Sequence, residues 1–136
     1  MARILIVDDS PSQLLGIRRI VEKLGHDAVT AEDGAEGVDK ARSEQPDLIL
    51  MDVVMPNLNG FQATRAITRD AATRHIPVVM VTTKDQETDR VWGMRQGAKA
   101  YLSKPFGENE LADLIARVLS APPAPPANPA DSADPA

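Results

Sequence analysis

Residues 48–52 read Leu-Ile-Leu-Met-Asp, a continuous run of four large apolar side chains that ends in a carboxylate. The same pattern occurs at residues 4–9, which read Ile-Leu-Ile-Val-Asp-Asp, and a third run, Val-Val-Met-Val at residues 78–81, ends in Thr82. Apolar runs without alternation are typical of strands buried on both faces of a parallel sheet. Weaker runs at residues 28–31 and 100–102 complete a predicted set of five strands.

The segments between these runs have the apolar period and the punctuation of helices. In the first segment apolar residues repeat at three and four positions, and a glycine follows as a helix stop: Leu14, Ile17, Val21, Leu24 and Gly25. Four more helices are predicted at about 35–43, 61–70, 87–95 and 111–119. Five alternations of strand and helix imply right-handed crossovers that cover both faces of one sheet. The predicted fold class is therefore α/β, a doubly wound (βα)5 three-layer sandwich.

Composition sets the extent of this domain. The chain has 136 residues and a formal charge of −5. Its last sixteen residues contain six Pro and six Ala, so residues 121–136 are expected to be a disordered tail and residues 1–120 the folded domain. Without the tail's Asp131 and Asp134 the charge is −3, which argues against a nucleic-acid partner, because phosphate backbones require a basic surface.

Cysteine chemistry and membrane insertion are also excluded by the sequence. The sequence has no Cys, so it cannot form disulfides, thiolate metal sites or a Cys nucleophile. The apolar run near the N-terminus, residues 4–7, is too short for a signal peptide or a membrane-spanning helix. We therefore expect a cytoplasmic protein with no membrane insertion.

Polar side chains follow four of the predicted strands, where sites in such sheets lie. They are Asp8, Asp9, Asp52, Thr82 and Lys104. Clustered carboxylates raise one another's pKa or require a cation, and oxygen ligands favour Mg²⁺, which also accepts phosphate oxygens. Each residue alone has an ordinary explanation as a turn, a helix cap, a strand residue or a surface residue. Their coincidence at one edge favours a site in which a carboxylate acts as nucleophile on a phosphoryl group.

Four segments carry a family resemblance: ILIVDDS (4–10), LILMDVVMPNLNG (48–60), VVMVTT (78–83) and AYLSKPF (100–106). Together they resemble the receiver (response-regulator) family, the CheY-like phosphoacceptor domain. The resemblance implies a flavodoxin-like parallel sheet of order 2-1-3-4-5. It makes Asp52 the phosphoacceptor, and Asp8 and Asp9 the Mg²⁺ ligands, with Asp9 favoured as the direct one. Asp52 itself and the backbone carbonyl of Val54 are implied as further ligands.

The same resemblance assigns the remaining site residues. Thr82 becomes the hydroxyl that bonds the phosphoryl group, Lys104 the cation that pairs with it, and Tyr101 the aromatic switch residue. Lys104-Pro105 matches the family's cis peptide bond. The implied chemistry is Mg²⁺-dependent self-phosphorylation and autodephosphorylation, without the turnover of an enzyme. An alternative for Tyr101 is permanent packing against the fourth helix.

We expect a stand-alone regulator whose output is partner binding. The expected surface comprises helix four, strand five and helix five, with Arg90, Trp92 and Tyr101 as contact residues. For Trp92, core packing is the alternative.

A narrower resemblance covers residues 57–106, with the segment KDQETDRVWGMRQGA (84–98) the most distinctive. This part is similar to single-domain regulators of chemosensory systems that govern type IV pilus twitching motility. The similarity implies a CheA-like histidine kinase as phosphodonor.

Three other functions remain open from the sequence. The domain could act as a phosphate sink for a shared kinase. It could be a haloacid dehalogenase-like phosphatase, although that family has a second acid where this chain has Val54. A nucleotide or flavin module is disfavoured, because no Gly-rich loop follows the first strand.

Overall fold

A computed structural model describes residues 1–120, in which five strands and five helices alternate. The strands are β1 (Arg3–Val7), β2 (Asp27–Ala31), β3 (Leu48–Met51), β4 (Val78–Thr82) and β5 (Ala100–Ser103). The helices are α1 (Pro11–Lys23), α2 (Gly34–Glu44), α3 (Gly60–Arg69), α4 (Glu87–Arg95) and α5 (Glu108–Ser120). The predicted disordered tail, residues 121–136, lies outside the described residues.

The five strands form one parallel sheet in the order β2-β1-β3-β4-β5. Ile4 of the central strand β1 pairs with Ala28 of β2 on one side and with Leu48 of β3 on the other. The doubly wound fold class and the strand order implied by the resemblance are both confirmed. The order reverses between β1 and β3, which opens a crevice beyond the carboxyl ends of these two strands.

Burial on both faces explains why the strand sequences do not alternate. In β1, Leu5 and Val7 pack into the core beneath α2 and α3, whereas Ile4 and Ile6 pack into the core beneath α1 and α5. All four side chains are at most 1% exposed. Each such burial contributes about 1.5–3 kcal/mol, so the central strands hold both helix layers and fix the position of their carboxyl ends.

The helix ends beside the crevice are fixed by local signals. α1 begins beside the crevice at Pro11, whose missing N–H would have no partner in a first turn. At the opposite edge of the sheet, α1 is followed by Gly25 at a φ of 89°. α3 begins with a capping box, in which Asn59 accepts from the Gln62 N–H at 2.9 Å and Gln62 accepts from the Asn59 N–H at 3.0 Å. These caps fix the loops that follow β1 and β3.

Within residues 1–120, none of the helices has both the length and the apolar character that a membrane span requires.

Candidate functional site

Asp8 follows β1 and is buried at the base of the crevice. Its Oδ1 accepts the backbone N–H of Ser10 at 2.9 Å, and its Oδ2 accepts from Lys104 Nζ at 2.6 Å. The side chains of this ion pair are 2% and 9% exposed, respectively. Asp8 and Lys104 therefore form a buried ion pair that joins the end of β1 to the end of β5.

Asp52 follows β3 and is 8% exposed. Its Oδ1 accepts the backbone N–H of Val53 at 2.8 Å. Asp8, Asp9 and Asp52 each offer a carboxylate oxygen, and these three oxygens lie within 4.8 Å of one another. Asp9 is exposed, whereas Asp8 is occupied by its bonds to Ser10 and Lys104. The predicted carboxylate cluster is thus assembled at the crevice, and its spacing suits a small divalent cation with oxygen ligands.

The environment of Asp52 disfavours its charge. Burial raises the pKa of Asp52, the Lys104 ammonium opposes this, and the Asp8 carboxylate adds to the rise. Hydrogen bonds from Thr82 and Val53 lower the pKa by smaller amounts, and the net direction is upward. The carboxylate that the sequence marks as nucleophile is therefore held in a position that favours neutralisation by a cation.

We expect Asp52→Asn to stabilise the metal-free protein at pH 7. A carboxyl whose pKa is raised by folding binds its proton more tightly in the folded state, so stability falls as pH rises from the unfolded pKa through the folded pKa. Asparagine removes this cost and keeps an oxygen acceptor for Val53. Urea unfolding with EDTA should show the variant more stable at pH 7, and the difference should vanish below about pH 3.5. A variant less stable than wild type at pH 7 would contradict the unfavourable burial of this charge.

Thr82 and Lys104 add two polar side chains to the same edge of the sheet, at the carboxyl ends of β4 and β5. Thr82 is the last residue of β4, is buried, and accepts the backbone N–H of Lys84 on its hydroxyl oxygen at 3.3 Å. That acceptance leaves the hydroxyl proton for donation to an anion. Lys104 follows β5, and the Lys104–Pro105 peptide bond is cis, as the resemblance implies.

Gln13 was not predicted from the sequence, yet it contacts a site residue. It lies in the first turn of α1, and its Oε1 accepts a hydrogen bond from Lys104 Nζ. The contact joins residues 91 positions apart. The available sequence signal was its place in the first turn after Asp8 and Asp9, where a helix begins beside the crevice.

The predicted partner residues lie on α4 and β5. The Arg90 guanidinium stacks 5.2 Å from the centroid of the Tyr101 ring and donates to Ser103 Oγ at 2.6 Å. The Tyr101 hydroxyl donates to the Lys84 carbonyl, and burial, followed by the Asp89 charge, raises the pKa of Tyr101 to about 12. Arg90 and Tyr101 therefore form one cluster next to the loop that follows β4.

Trp92 and Val54 are both exposed. Trp92 is 48% exposed on α4, which disfavours core packing as the reason for this residue. Val54, whose backbone carbonyl is a predicted metal ligand, exposes its side chain in the loop between β3 and α3.

Residues 4–116 match the family described as the response regulator receiver domain, and the chain belongs to this family. Receiver domains are signalling modules that accept phosphoryl groups from histidine kinases. The chain is 59% identical to the protein PilH of Pseudomonas aeruginosa strain PAO1 over 120 residues, which cover 88% of this chain and 99% of PilH. The chain spans about half the length of the next curated relatives, which are transcriptional regulators.

Solved structures of receiver domains are similar to this chain in fold. The receiver domain of the sensor histidine kinase PA1611 from P. aeruginosa PAO1, crystallised with a magnesium ion in its active-site cleft, has a TM-score of 0.83 and 32% identity, covering 88% of this chain and 98% of that domain. The chemotaxis protein CheY4 of Vibrio cholerae has a TM-score of 0.82 and 33% identity, covering 87% and 98%. The chain is thus a CheY-like receiver in sequence and in fold.

Proposed function

We propose that this chain is a response regulator that accepts a phosphoryl group on Asp52. The observation that carries the proposal is the convergence of Asp52 with two further carboxylates, while Lys104 and Thr82 both act on its pKa. An Asp52 oxygen attacks the phosphorus of the donor, the bond from phosphorus to the donor's leaving group breaks, and the leaving group keeps the electron pair. Water then attacks the acyl phosphate, which releases inorganic phosphate and restores the Asp52 carboxylate.

Each nearby side chain has a part in this transfer. The Lys104 ammonium pairs with a phosphoryl oxygen, and the Thr82 hydroxyl donates to another. Asp8, Asp9 and Asp52, with the backbone carbonyl of Val54, would hold Mg²⁺, and the carboxylate spacing fits that ion. Mg²⁺, when bound, neutralises charge on the phosphoryl oxygens. The exposed Asp9 is the favoured direct ligand, because Asp8 already bonds Ser10 and Lys104.

The output is proposed to pass through Thr82 and Tyr101. Phosphorylation adds close to two negative charges, which draw the Thr82 hydroxyl toward the phosphoryl group. Tyr101 then moves into the vacated space and repacks the surface formed by α4, β5 and α5. Arg90, which stacks on Tyr101, and the exposed Trp92 are the contact residues for a downstream protein.

We assign the phosphodonor and the pathway by similarity. The high identity to PilH over nearly the whole of that protein supports a CheA-like histidine kinase as donor and a role in type IV pilus twitching motility. A rapidly decaying acyl phosphate, with no protein that binds the phosphorylated form selectively, would instead indicate a phosphate sink.

The nucleophile is tested by incubation with acetyl phosphate and Mg²⁺, followed by intact mass measurement. We expect about 80 Da to be added to wild type and none to Asp52→Asn, because the amide cannot form the acyl phosphate. Asp39→Asn, which removes an exposed carboxylate on α2, is the matched control and should be labelled like wild type. Labelling of Asp52→Asn, or of wild type at another residue, would overturn the assignment.

A further inference from the structure

The Lys104 ammonium is held by two groups from different elements. Asp8 Oδ2, at the end of β1, accepts from it at 2.6 Å, and Gln13 Oε1, in the first turn of α1, accepts a second bond. An ammonium has three N–H donors, so these bonds leave one donor uncommitted. The Lys104 side chain is 9% exposed, which restricts the directions in which that donor can point.

The two partners of Lys104 differ in charge and in surroundings. Asp8 belongs to the carboxylate cluster, where any bound cation would attract the carboxylates and repel the ammonium. Gln13 is neutral, and it bonds Lys104 from outside the cluster. The bond to Gln13 is therefore the one that a cation in the cluster disturbs least.

We propose that Gln13 is a positioning residue for phosphoryl transfer, whose Oε1 holds Lys104 with its third N–H free for the phosphoryl oxygen on Asp52. This inference rests on the proposed function and adds a residue to it. A neutral amide suits this task, because it orients the ammonium without cancelling its charge. A carboxylate here would pair with Lys104 and weaken its attraction for the phosphoryl group, whereas an apolar side chain would leave the ammonium unoriented.

Loss of this contact should slow phosphorylation without abolishing it. Gln13→Met keeps the length of the side chain and removes the acceptor. At saturating Mg²⁺ and fixed acetyl phosphate, we expect the initial rate of labelling, followed by intact mass, to fall by about three- to tenfold, which corresponds to the net contribution of one ordinary hydrogen bond, because the Gln13 side chain is exposed and solvent weakens the bond. Ser12→Ala, in the same exposed first turn, is the matched control and should stay within about twofold of wild type.

A double-mutant cycle tests whether Gln13 acts through Lys104. In the Lys104→Met background, Gln13→Met should cause no further loss of rate, because the ammonium it orients is gone. A residue needed only for the structure of α1 would slow labelling in both backgrounds. An equal loss in both backgrounds would therefore overturn the proposed role.

A spectroscopic readout covers the case in which Lys104→Met fails to fold, and it needs neither phosphate nor metal. In EDTA at low temperature, a held and buried ammonium gives an observable ¹H–¹⁵N signal, which we expect for Lys104 in wild type. Gln13→Met should broaden or shift this signal, whereas Ser12→Ala should leave it in place. An unchanged signal in Gln13→Met would overturn the role.

The outcomes separate this inference from the function on which it rests. If wild type is labelled on Asp52 and Gln13→Met is labelled equally fast, the role of Gln13 is overturned and the proposed function stands. If wild type takes up no phosphoryl group, the proposed function fails and this role fails with it.

Discussion

Gly60→Ala is expected to lower the free energy of unfolding by about 3 kcal/mol or more, and the melting temperature by about 10 °C. Gly60 is the first residue of α3, and its N–H donates to the Val53 carbonyl at 2.9 Å. A Cβ at this position would lie 2.0 Å from the Asp52 carbonyl oxygen and 2.8 Å from the Val53 Cα. These are backbone atoms, so no rotamer change can relieve the overlap, and either α3 or the end of β3 must move.

Gly16→Ala is the matched control for this prediction, because it makes the same substitution where there is space. Gly16 lies inside α1, and a Cβ there meets no atom within 4 Å. Alanine is the better helix former, so Gly16→Ala should stabilise the protein by about 0.5–1 kcal/mol. Thermal and urea unfolding of both variants would measure the difference. A Gly60→Ala protein as stable as wild type would mean that the loop between β3 and α3 relaxes without cost.

Much of the fold is readable from the sequence, because its signals are local. The apolar runs at residues 4–7, 48–51 and 78–81 each became a buried strand, and α4 occupies Glu87–Arg95 as predicted. α2 and α3 each begin one residue earlier than predicted, at Gly34 and Gly60. Both are positions of close backbone approach, and a Cβ on Gly34 would lie 2.1 Å from the Leu58 carbonyl oxygen. The Gly34 contact joins two separate loops and the Gly60 contact joins the two ends of one loop, so neither follows from a periodic pattern within the helix.

The candidate site likewise contains residues that the sequence predicts and a contact that it does not. Asp8, Asp52 and Lys104 are predictable, because each directly follows a strand and parallel strands bring their carboxyl ends to one edge. The role of Asp52 as phosphoacceptor stays a prediction that the labelling experiment tests, and the role of the Val54 carbonyl as a metal ligand stays a prediction. The contact of Gln13 with Lys104 was not predictable, because it depends on how the first turn of α1 is placed relative to the end of β5.

Lys104→Met is expected to lower the free energy of unfolding by about 3–5 kcal/mol when divalent cations are removed with EDTA. Lys104 Nζ lies 2.6 Å from Asp8 Oδ2, and the side chains are 9% and 2% exposed. Methionine fills nearly the same volume but leaves the Asp8 carboxylate buried without its cation. Urea unfolding at pH 7 would measure the loss, and adding Asp8→Asn to Lys104→Met should recover part of it, because the unpaired charge is then removed.

Lys23→Met provides the control, since Lys23 Nζ lies 3.0 Å from Glu108 Oε1 in a pair whose side chains are 73% and 48% exposed. Solvent screens that pair, so its loss should cost less than about 1 kcal/mol. Mg²⁺ should stabilise both wild type and Lys104→Met, and the gain should be larger in the variant, because the cation then neutralises an otherwise unpaired Asp8. Equal losses for the two lysines in EDTA, or an equal gain from Mg²⁺ in wild type and Lys104→Met, would show that Lys104 does not neutralise the buried carboxylates at this edge of the sheet.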